Sequence, residues 1–581
     1  MVFNYHEPSE VLAAALRSCR RHFRAVAGFS ALLNILFMVP MLYMLQVYDR
    51  VVPTQGKLTL FFLTLVLLFG LIALSLLDFV RSRLLVRASV RLDRQLAGIL
   101  LDTTLARRGQ TGDTMSKQVI REFDMLRQAL TGPAILSLFD APWSPIYVLI
   151  CFLIHPALGA LALAGGVALI IITLRNERLT NGPLRKANEA ASLAYVSQEQ
   201  SFAGAEVVRA LGMRRAMVRR HLHERESMMA LQTDASFAGG KYITLSKFLR
   251  QALQSLALGL GAWLAIGNEI SVGAIFASAF LVGRALAPID QLLGAWRSVV
   301  QARAAYTTLS NLLVARDADI ALTQLPPPTG RIDVEHLTVA NAANDGAILG
   351  DISFQVLPGE VVAVIGPSGA GKSTLMRMLA GAGRPDRGSV RFDGADTTDW
   401  DSEKLAAFVG YLPQDASLFA GTIKENIARF QNHISTDTQA IDDAVVEAAK
   451  FCGSHEMILR LPRGYDAPLG WGGRGLSAGQ AQRVGLARAL FRSPSIILLD
   501  EPNAHLDAEG ESQLVATLSQ LKERNASVII VAHRMGILGV VDKILLLRDG
   551  RIDAFDARDE VLGRLKAVPS AGRSVLQVVE G

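Results

Sequence analysis

The sequence predicts a multi-domain chain: an all-α domain of six membrane-crossing helices over residues 28–324, then an α/β domain built around a glycine loop over residues 331–581. Three observations predict it. Apolar blocks of spanning length fill the first half, the stretch Leu325-Pro326-Pro327-Pro328-Thr329-Gly330 interrupts the chain as a linker over 325–330, and beyond it short strand-like runs alternate with glycines and shorter helices. Composition agrees, since half of the 581 residues are apolar and only 19% are charged, too hydrophobic for an ordinary soluble enzyme.

Each crossing helix needs ~20 largely apolar residues to span the hydrocarbon of a bilayer. Residues 28–47 and 58–77 meet this almost without charge, and the polar loop 48–57 between them, with Pro53 and Gly56, makes them a hairpin. The next block is too long for one span. His155-Pro156 divides it, because proline removes a backbone donor and disfavours helix at the residue before it. The third helix is therefore expected from near Ala134, with Asp140, Pro142 and Trp143 close to the interface, and the fourth ends at Leu174. The last pair, 249–266 and 272–293, is less apolar and carries closely spaced glycine and alanine, as helix interfaces in membranes allow.

Basic residues set the orientation. Segments 81–133 and 175–250 hold ten and thirteen lysines and arginines, whereas the loops at 48–57, 155–156 and 267–271 hold two in all, so the long basic segments are expected in the cytoplasm. Having few breakers, they are expected to extend the helices well beyond the bilayer. Residues 1–27, polar and without a small-residue cleavage pattern, read as a cytoplasmic segment and not as a cleaved signal. Cys19, Cys151 and Cys452 are far apart and unpatterned, which supports neither a disulfide framework nor a metal site. The arginines at 209, 214, 215, 219 and 220 read as a solvated or lipid-facing stripe.

In the second half, VVAVI follows Glu360 as a buried strand and runs into Gly366-Pro367-Ser368-Gly369-Ala370-Gly371-Lys372-Ser373-Thr374. Glycines let backbone amides approach phosphates, the next helix presents its positive end, Lys372 neutralises the β- and γ-phosphates of ATP, and the Ser373 hydroxyl ligates Mg²⁺. A second buried strand, 496–499, delivers Asp500 to the metal and Glu501 as the base that accepts a proton from, or orients, the attacking water. His533 ends the strand 528–532 and is placed to touch the γ-phosphate.

With these motifs, Leu476-Ser477-Ala478-Gly479-Gln480 makes the segment from about 330 to 565 resemble the nucleotide-binding domain of ABC transporters, and the first half resembles an ABC exporter. The resemblance implies that two such domains sandwich two ATP molecules head to tail. A homodimer follows, in which Ser477, Gly479 and Gln480 meet the nucleotide held on the partner's glycine loop. It further implies that Gln414 reaches Mg²⁺ and the attacking water and that Asp507 acts across the dimer. Three positions depart from the family pattern: Asn341 stands where an aromatic residue stacks on adenine, Ala478 replaces a glycine, and Trp471 replaces a glutamate ahead of the signature.

Gln46–Thr54 (QVYDRVVPT), Phe139–Val148 (FDAPWSPIYV), His155–Gly159 (HPALG) and Ala205–Met213 (AEVVRALGM) are similar to the type I secretion exporters, and most to their protease-exporting branch. The plainer alternative for these motifs is that Pro142, Pro145 and Pro156 simply shape helix ends and Trp143 is an ordinary interfacial anchor. Other branches often carry an additional N-terminal peptidase-like domain, and the short segment before the first helix here leads to the expectation of none. The resemblance implies a secreted protein substrate with a C-terminal signal, a periplasmic membrane-fusion adaptor, an outer-membrane channel, and residence in the bacterial inner membrane with the nucleotide-binding domain in the cytoplasm. A lipid, peptide or drug exporter would share the same engine. A soluble ABC ATPase acting on nucleic acid conflicts with the apolar spans, so no nucleic-acid partner is expected.

Overall fold

The protein, described here by a computed structural model over residues 10–107, 119–317, 325–341, 346–532 and 534–567, divides into two compact units, the first ending at Asp319 and the second starting at Ile320.

The first unit is helical throughout. The opening helices Glu10–Ser18 and Arg20–Leu36 are followed by Met38–Gln46, a π-turn over Val47–Val51 and a short turn. The expected hairpin closes at Gln55, whose φ of 53° is left-handed, and Lys57–Arg107 then runs as one helix of 51 residues. At 1.5 Å per residue it is about 75 Å long, more than twice the ~30 Å of hydrocarbon it would cross. Helices Pro156–Ala203 and Arg214–Ile266, of 48 and 53 residues, are equally overlong, in line with the expected extensions. The turn expected at His155-Pro156 is present. His155 is extended, and its Nδ1 accepts a hydrogen bond from the Ala157 amide at 3.1 Å, so it caps the helix that Pro156 begins.

Among the described residues, five helical stretches are long and apolar enough to cross a membrane: Arg20–Thr54, Lys57–Ala106, Val119–Ile154, Pro156–Phe202 and Val272–Gly294. The expected fifth span, 249–266, is also helical, as the end of Arg214–Ile266. Arg250, Gln251 and Gln254 dilute its apolar character, and it falls outside that set.

A polar network lies inside this unit. Arg81, 7% exposed, donates to Asp140 at 3.0 Å, to Ser30 at 3.0 Å and to Asp78 at 2.7 Å. Asn34 donates to the same Asp140 oxygen at 3.0 Å, and Tyr147 donates to the Asn34 carbonyl at 2.7 Å. Asp140 of the Phe139–Val148 motif is thus tied to two other helices, an interior role beyond the interfacial one expected for it. Burying such charges costs free energy unless each finds its partner, as here.

The second unit contains β1 (Ile332–Ala340), β2 (Ala347–Val356), β3 (Val361–Ile365), β4 (Arg387–Phe392), β5 (Ala395–Asp396), β6 (Val409–Leu412), β7 (Gly421–Thr422), β8 (Pro468–Leu469), β9 (Ile496–Asp500), β10 (Ser527–Val531), β11 (Lys543–Arg548) and β12 (Arg551–Ala557). The main sheet has the order β12-β11-β3-β10-β9-β6, and a second, antiparallel sheet the order β2-β1-β4-β5. Every residue of β3, β9 and β10 is buried, which explains their unbroken apolar runs of valine, isoleucine and leucine.

These strands are parallel and in register, Val531 facing both Asp500 and Val364. The segments that follow them therefore emerge along one edge of the sheet, where ligands of open α/β sheets bind. The proline stretch is held against this unit: Ser495 donates to the Pro328 carbonyl at 2.9 Å, and Asp393 accepts from the Thr329 and Arg331 amides.

Candidate functional site

The glycine loop leaves β3 through Gly366, at φ 154°, where a Cβ would lie 2.1 Å from the Leu547 carbonyl oxygen. Gly371, at φ 96°, caps the helix Lys372–Leu379, and a Cβ there would lie 2.7 Å from a Leu349 methyl. Only glycine fits either place. Gly369 has a positive φ and open space around its missing side chain, so its backbone stays approachable. This is a cradle that a polyphosphate would fill.

Lys372 is 6% exposed and donates its Nζ to the Gly366 carbonyl at 2.9 Å and the Pro367 carbonyl at 3.0 Å. Burial lowers its pKa, and the negative charges of Glu501 and Asp500 oppose that shift. An ammonium has three hydrogens, so one is left for a phosphate oxygen. Thr374, at the loop's end, accepts from Arg377 at 3.2 Å.

Asp500 is 1% exposed at the end of β9. Burial raises its pKa, offset in part by a hydrogen bond with Ser373 and by the charge of Lys372. Its Oδ1 has no hydrogen-bond partner among the described residues. A buried carboxylate oxygen left unpaired next to a serine hydroxyl is the donor set a hard divalent cation takes, and Mg²⁺ fits it.

Glu501 follows with a φ of 50°, a strained value for a side chain with a Cβ, of the kind that clusters at functional sites. Gln414 donates to its Oε2 at 3.2 Å, and Gln482 donates to its carbonyl at 3.4 Å. Tyr411, on β6, is pushed up to about 12 by burial and then by the charge of Asp500, so it stays a neutral phenol. The chain thus brings together Gly366, Lys372, Ser373, Asp500, Glu501 and Gln414.

Ser477, Gly479, Gln480 and Asp507 form a second group. Ser477 and Gln480 close a capping box on the helix Ala478–Ala489, the Ser477 hydroxyl accepting the Gln480 amide at 3.3 Å and the Gln480 side chain accepting the Ser477 amide at 2.9 Å. Gln480 therefore has a structural duty beside the nucleotide contact expected of it. Gly479 packs so closely that a Cβ would lie 2.6 Å from the His505 carbonyl. Asp507 caps the helix Ala508–Glu523 and pairs with Arg483 at 2.7 Å. Among the described residues no hydrogen bond joins this group to residues 366–374.

His533 lies outside the described residues. Its neighbour Arg534 pairs with Glu511 at 2.9 Å, on the helix that Asp507 caps. The Asn341 amide donates to the Gly346 carbonyl at 2.8 Å, and Trp471 begins a short 3₁₀ turn. Gln482, Arg483 and Tyr411 stand beside Glu501, Asp507 and Asp500 and were not singled out by sequence. Their place depends on which helix or strand packs beside β9, and no local pattern carries that.

A model of the ABC transporter family matches residues 349–504, and one of the ABC transporter transmembrane region matches residues 23–285. The chain is 42% identical to the type I secretion system ATP-binding protein PrsD of Rhizobium meliloti, over 95% of this chain and 94% of that one. It is 28% identical to the toxin RTX-I translocation ATP-binding protein of Actinobacillus pleuropneumoniae, over 92% of this chain and 75% of that one. Its fold matches that of a bacterial Atm1-family ABC exporter with ATP bound, with a TM-score of 0.81 at 23% identity, covering 96% of this chain and 98% of that chain.

Proposed function

Because the chain belongs to the ABC transporter family, we propose that it is the motor of a type I secretion system, exporting a protein across the bacterial inner membrane at the expense of ATP. Hydrolysis of ATP coupled to transport is its activity. The cargo assignment is carried by one observation, the 42% identity over nearly the whole chain to a type I secretion ATP-binding protein. The multi-pass helical unit supplies the path.

The working unit in this reading is a homodimer with two composite sites. Ser477, Gly479 and Asp507 of one copy face the glycine loop of the other, which accounts for their standing apart from residues 366–374 within a chain. Bound Mg²⁺ would supply charge neutralisation at the β- and γ-phosphates, held by Ser373, Asp500 and Gln414. The chain's own residues do the rest. The loop amides and Lys372 hold the phosphates. Gln414 fixes Glu501, and Glu501 orients the water and takes its proton while His533 contacts the γ-phosphate.

Closure of the two domains on ATP would reshape the membrane helices, and hydrolysis would reopen them. A periplasmic adaptor and an outer-membrane channel complete the route, with the second unit in the cytoplasm.

The test is a comparison of secreted proteins from cells carrying the wild-type chain or Glu501→Gln. Loss of one or a few proteins with intact C-termini supports the reading. An unchanged set of secreted proteins, with transport of a lipid, peptide or drug lost instead, overturns it.

A further inference from the structure

The helix Glu10–Ser18 buries Leu12 and Ala15 against the long helices, packing with Leu92 and Leu96 of Lys57–Arg107 and Leu309 and Leu313 of Trp296–Asp317. Cys19 interrupts the helix, and Arg20–Leu36 then enters the apolar span. On the outer side of this elbow, Leu16, Arg20, Phe23, Arg24 and Ala27 recur at spacings of three and four with one adjacent pair, so they share one helical face.

Phe139, from the helix Pro133–Asp140, closes the other side, its ring stacked on Phe23 with centroids 6.3 Å apart. Between them lies a cleft of about 440 Å³ whose lining is apolar apart from Arg17, Arg20 and Arg24. These three arginines are exposed, and no carboxylate among the described residues pairs with them. Asp140, next to Phe139, is committed to Arg81 and Asn34. Further along the helix, Leu32 and Ile35 remain about half exposed.

We propose that this elbow is a binding site for an anionic phospholipid, the phosphate held by Arg17, Arg20 and Arg24 and the first acyl carbons lying against Phe23, Ala27 and Phe139. The charge and the apolar wall select that occupant together. A soluble anion gains nothing from the aromatic floor, and a zwitterionic lipid brings no net charge to three uncompensated guanidiniums. The cationic rim stands at the start of a spanning helix, where headgroups lie, and the apolar wall of Phe23, Ala27 and Phe139 stands beside it. The inference requires only that this unit sits in a bilayer, and not that any protein is exported.

The experiment uses the full chain in nanodiscs of phosphatidylcholine containing phosphatidylglycerol, with the retained lipid counted by native mass spectrometry after extraction. The wild-type chain is expected to retain phosphatidylglycerol in preference to phosphatidylcholine. The triple variant R17Q/R20Q/R24Q is expected to lose that preference, each arginine contributing about fivefold, while R17K/R20K/R24K keeps most of it. Both variants are checked for wild-type melting temperature, and F23A, with the charges intact, is expected to weaken retention without abolishing the headgroup preference. Equal retention by the glutamine variant overturns the proposal, as does equal retention of both lipids by the wild type. Displacement of the lipid by excess inorganic phosphate, or a change of oligomeric state in place of lipid loss, overturns it as well.

Discussion

Gln414 donates its side-chain amide to the Glu501 carboxylate across 3.2 Å, joining the loop after β6 to the residue after β9. The two strands are paired in the sheet, so the contact between Gln414 and Glu501 is set by strand register. Substituting Glu501 with Gln keeps the size of the side chain and removes the carboxylate proposed as the base. ATP binding is expected to persist, while turnover falls by about 10²- to 10⁴-fold, the usual worth of general base catalysis. Single-turnover hydrolysis by the purified chain checks this, and a normal rate would remove Glu501 from its role.

Lys372→Ala removes a buried charge-assisted donor from the phosphate cradle. Such a hydrogen bond contributes about 1.5–3 kcal/mol, so nucleotide affinity is expected to fall by roughly 10- to 100-fold. Equilibrium binding of a fluorescent ATP analogue measures it, and unchanged affinity would contradict a contact between Lys372 Nζ and the phosphates.

The Arg483–Asp507 pair is largely exposed on the Asp507 side. Exposed pairs contribute little to stability, so Arg483→Ala is expected to leave the melting temperature nearly unchanged. Asp507 is the residue expected across the dimer, so the same variant is expected to lower kcat. A melting temperature that drops in step with activity would mean that the pair is merely structural.

Acid stability is expected to depend on Glu425. Its carboxylate accepts the Thr422 amide at 2.7 Å in a capping box and its pKa is lowered, chiefly by that bond. A lowered carboxyl pKa favours the folded state above the ordinary carboxylate value, near 4.3, and that contribution disappears as pH falls through the lower folded value. Glu425→Ala is expected to cost about 1 kcal/mol at neutral pH and to flatten the acid limb of the stability curve. Thermal unfolding across that range checks both.

In the helical unit, Arg81→Met leaves the part-buried Asp140 without its direct ion-pair partner. Removing one partner of a buried pair costs about 3–5 kcal/mol, and the double variant Arg81→Met/Asp140→Leu is expected to recover much of it. Thermal unfolding in detergent decides the matter: if the single variant is as stable as the wild type, the pair carries no structural role.

Residues local in sequence were legible without the fold. The loop Gly366–Thr374 needs glycine at positions that only glycine can occupy, and the buried strands before it and before Asp500 are marked by apolar runs. The hairpin at 48–57 and the break at His155-Pro156 were readable because a turn residue or a proline acts on its own neighbours. Asp140, however, looked interfacial, since nothing in its motif reveals that Arg81, 59 residues earlier, would come within hydrogen-bond distance.

Length and composition along the chain thus determined a helical membrane unit followed by a phosphate-binding α/β unit, through interactions between residues a few positions apart. Tertiary structure alone decided which distant groups meet. Strand order placed Gln414 on Glu501, helix packing brought Gln482 to the Glu501 carbonyl, and an oxygen of Asp500 was left unpaired beside Ser373 among the described residues. Helix packing buried Arg81 with Asp140 and left Arg17, Arg20 and Arg24 facing outward. A polar group's partner depends on which backbones are brought side by side, and that is a property of the packed chain, not of any segment read alone.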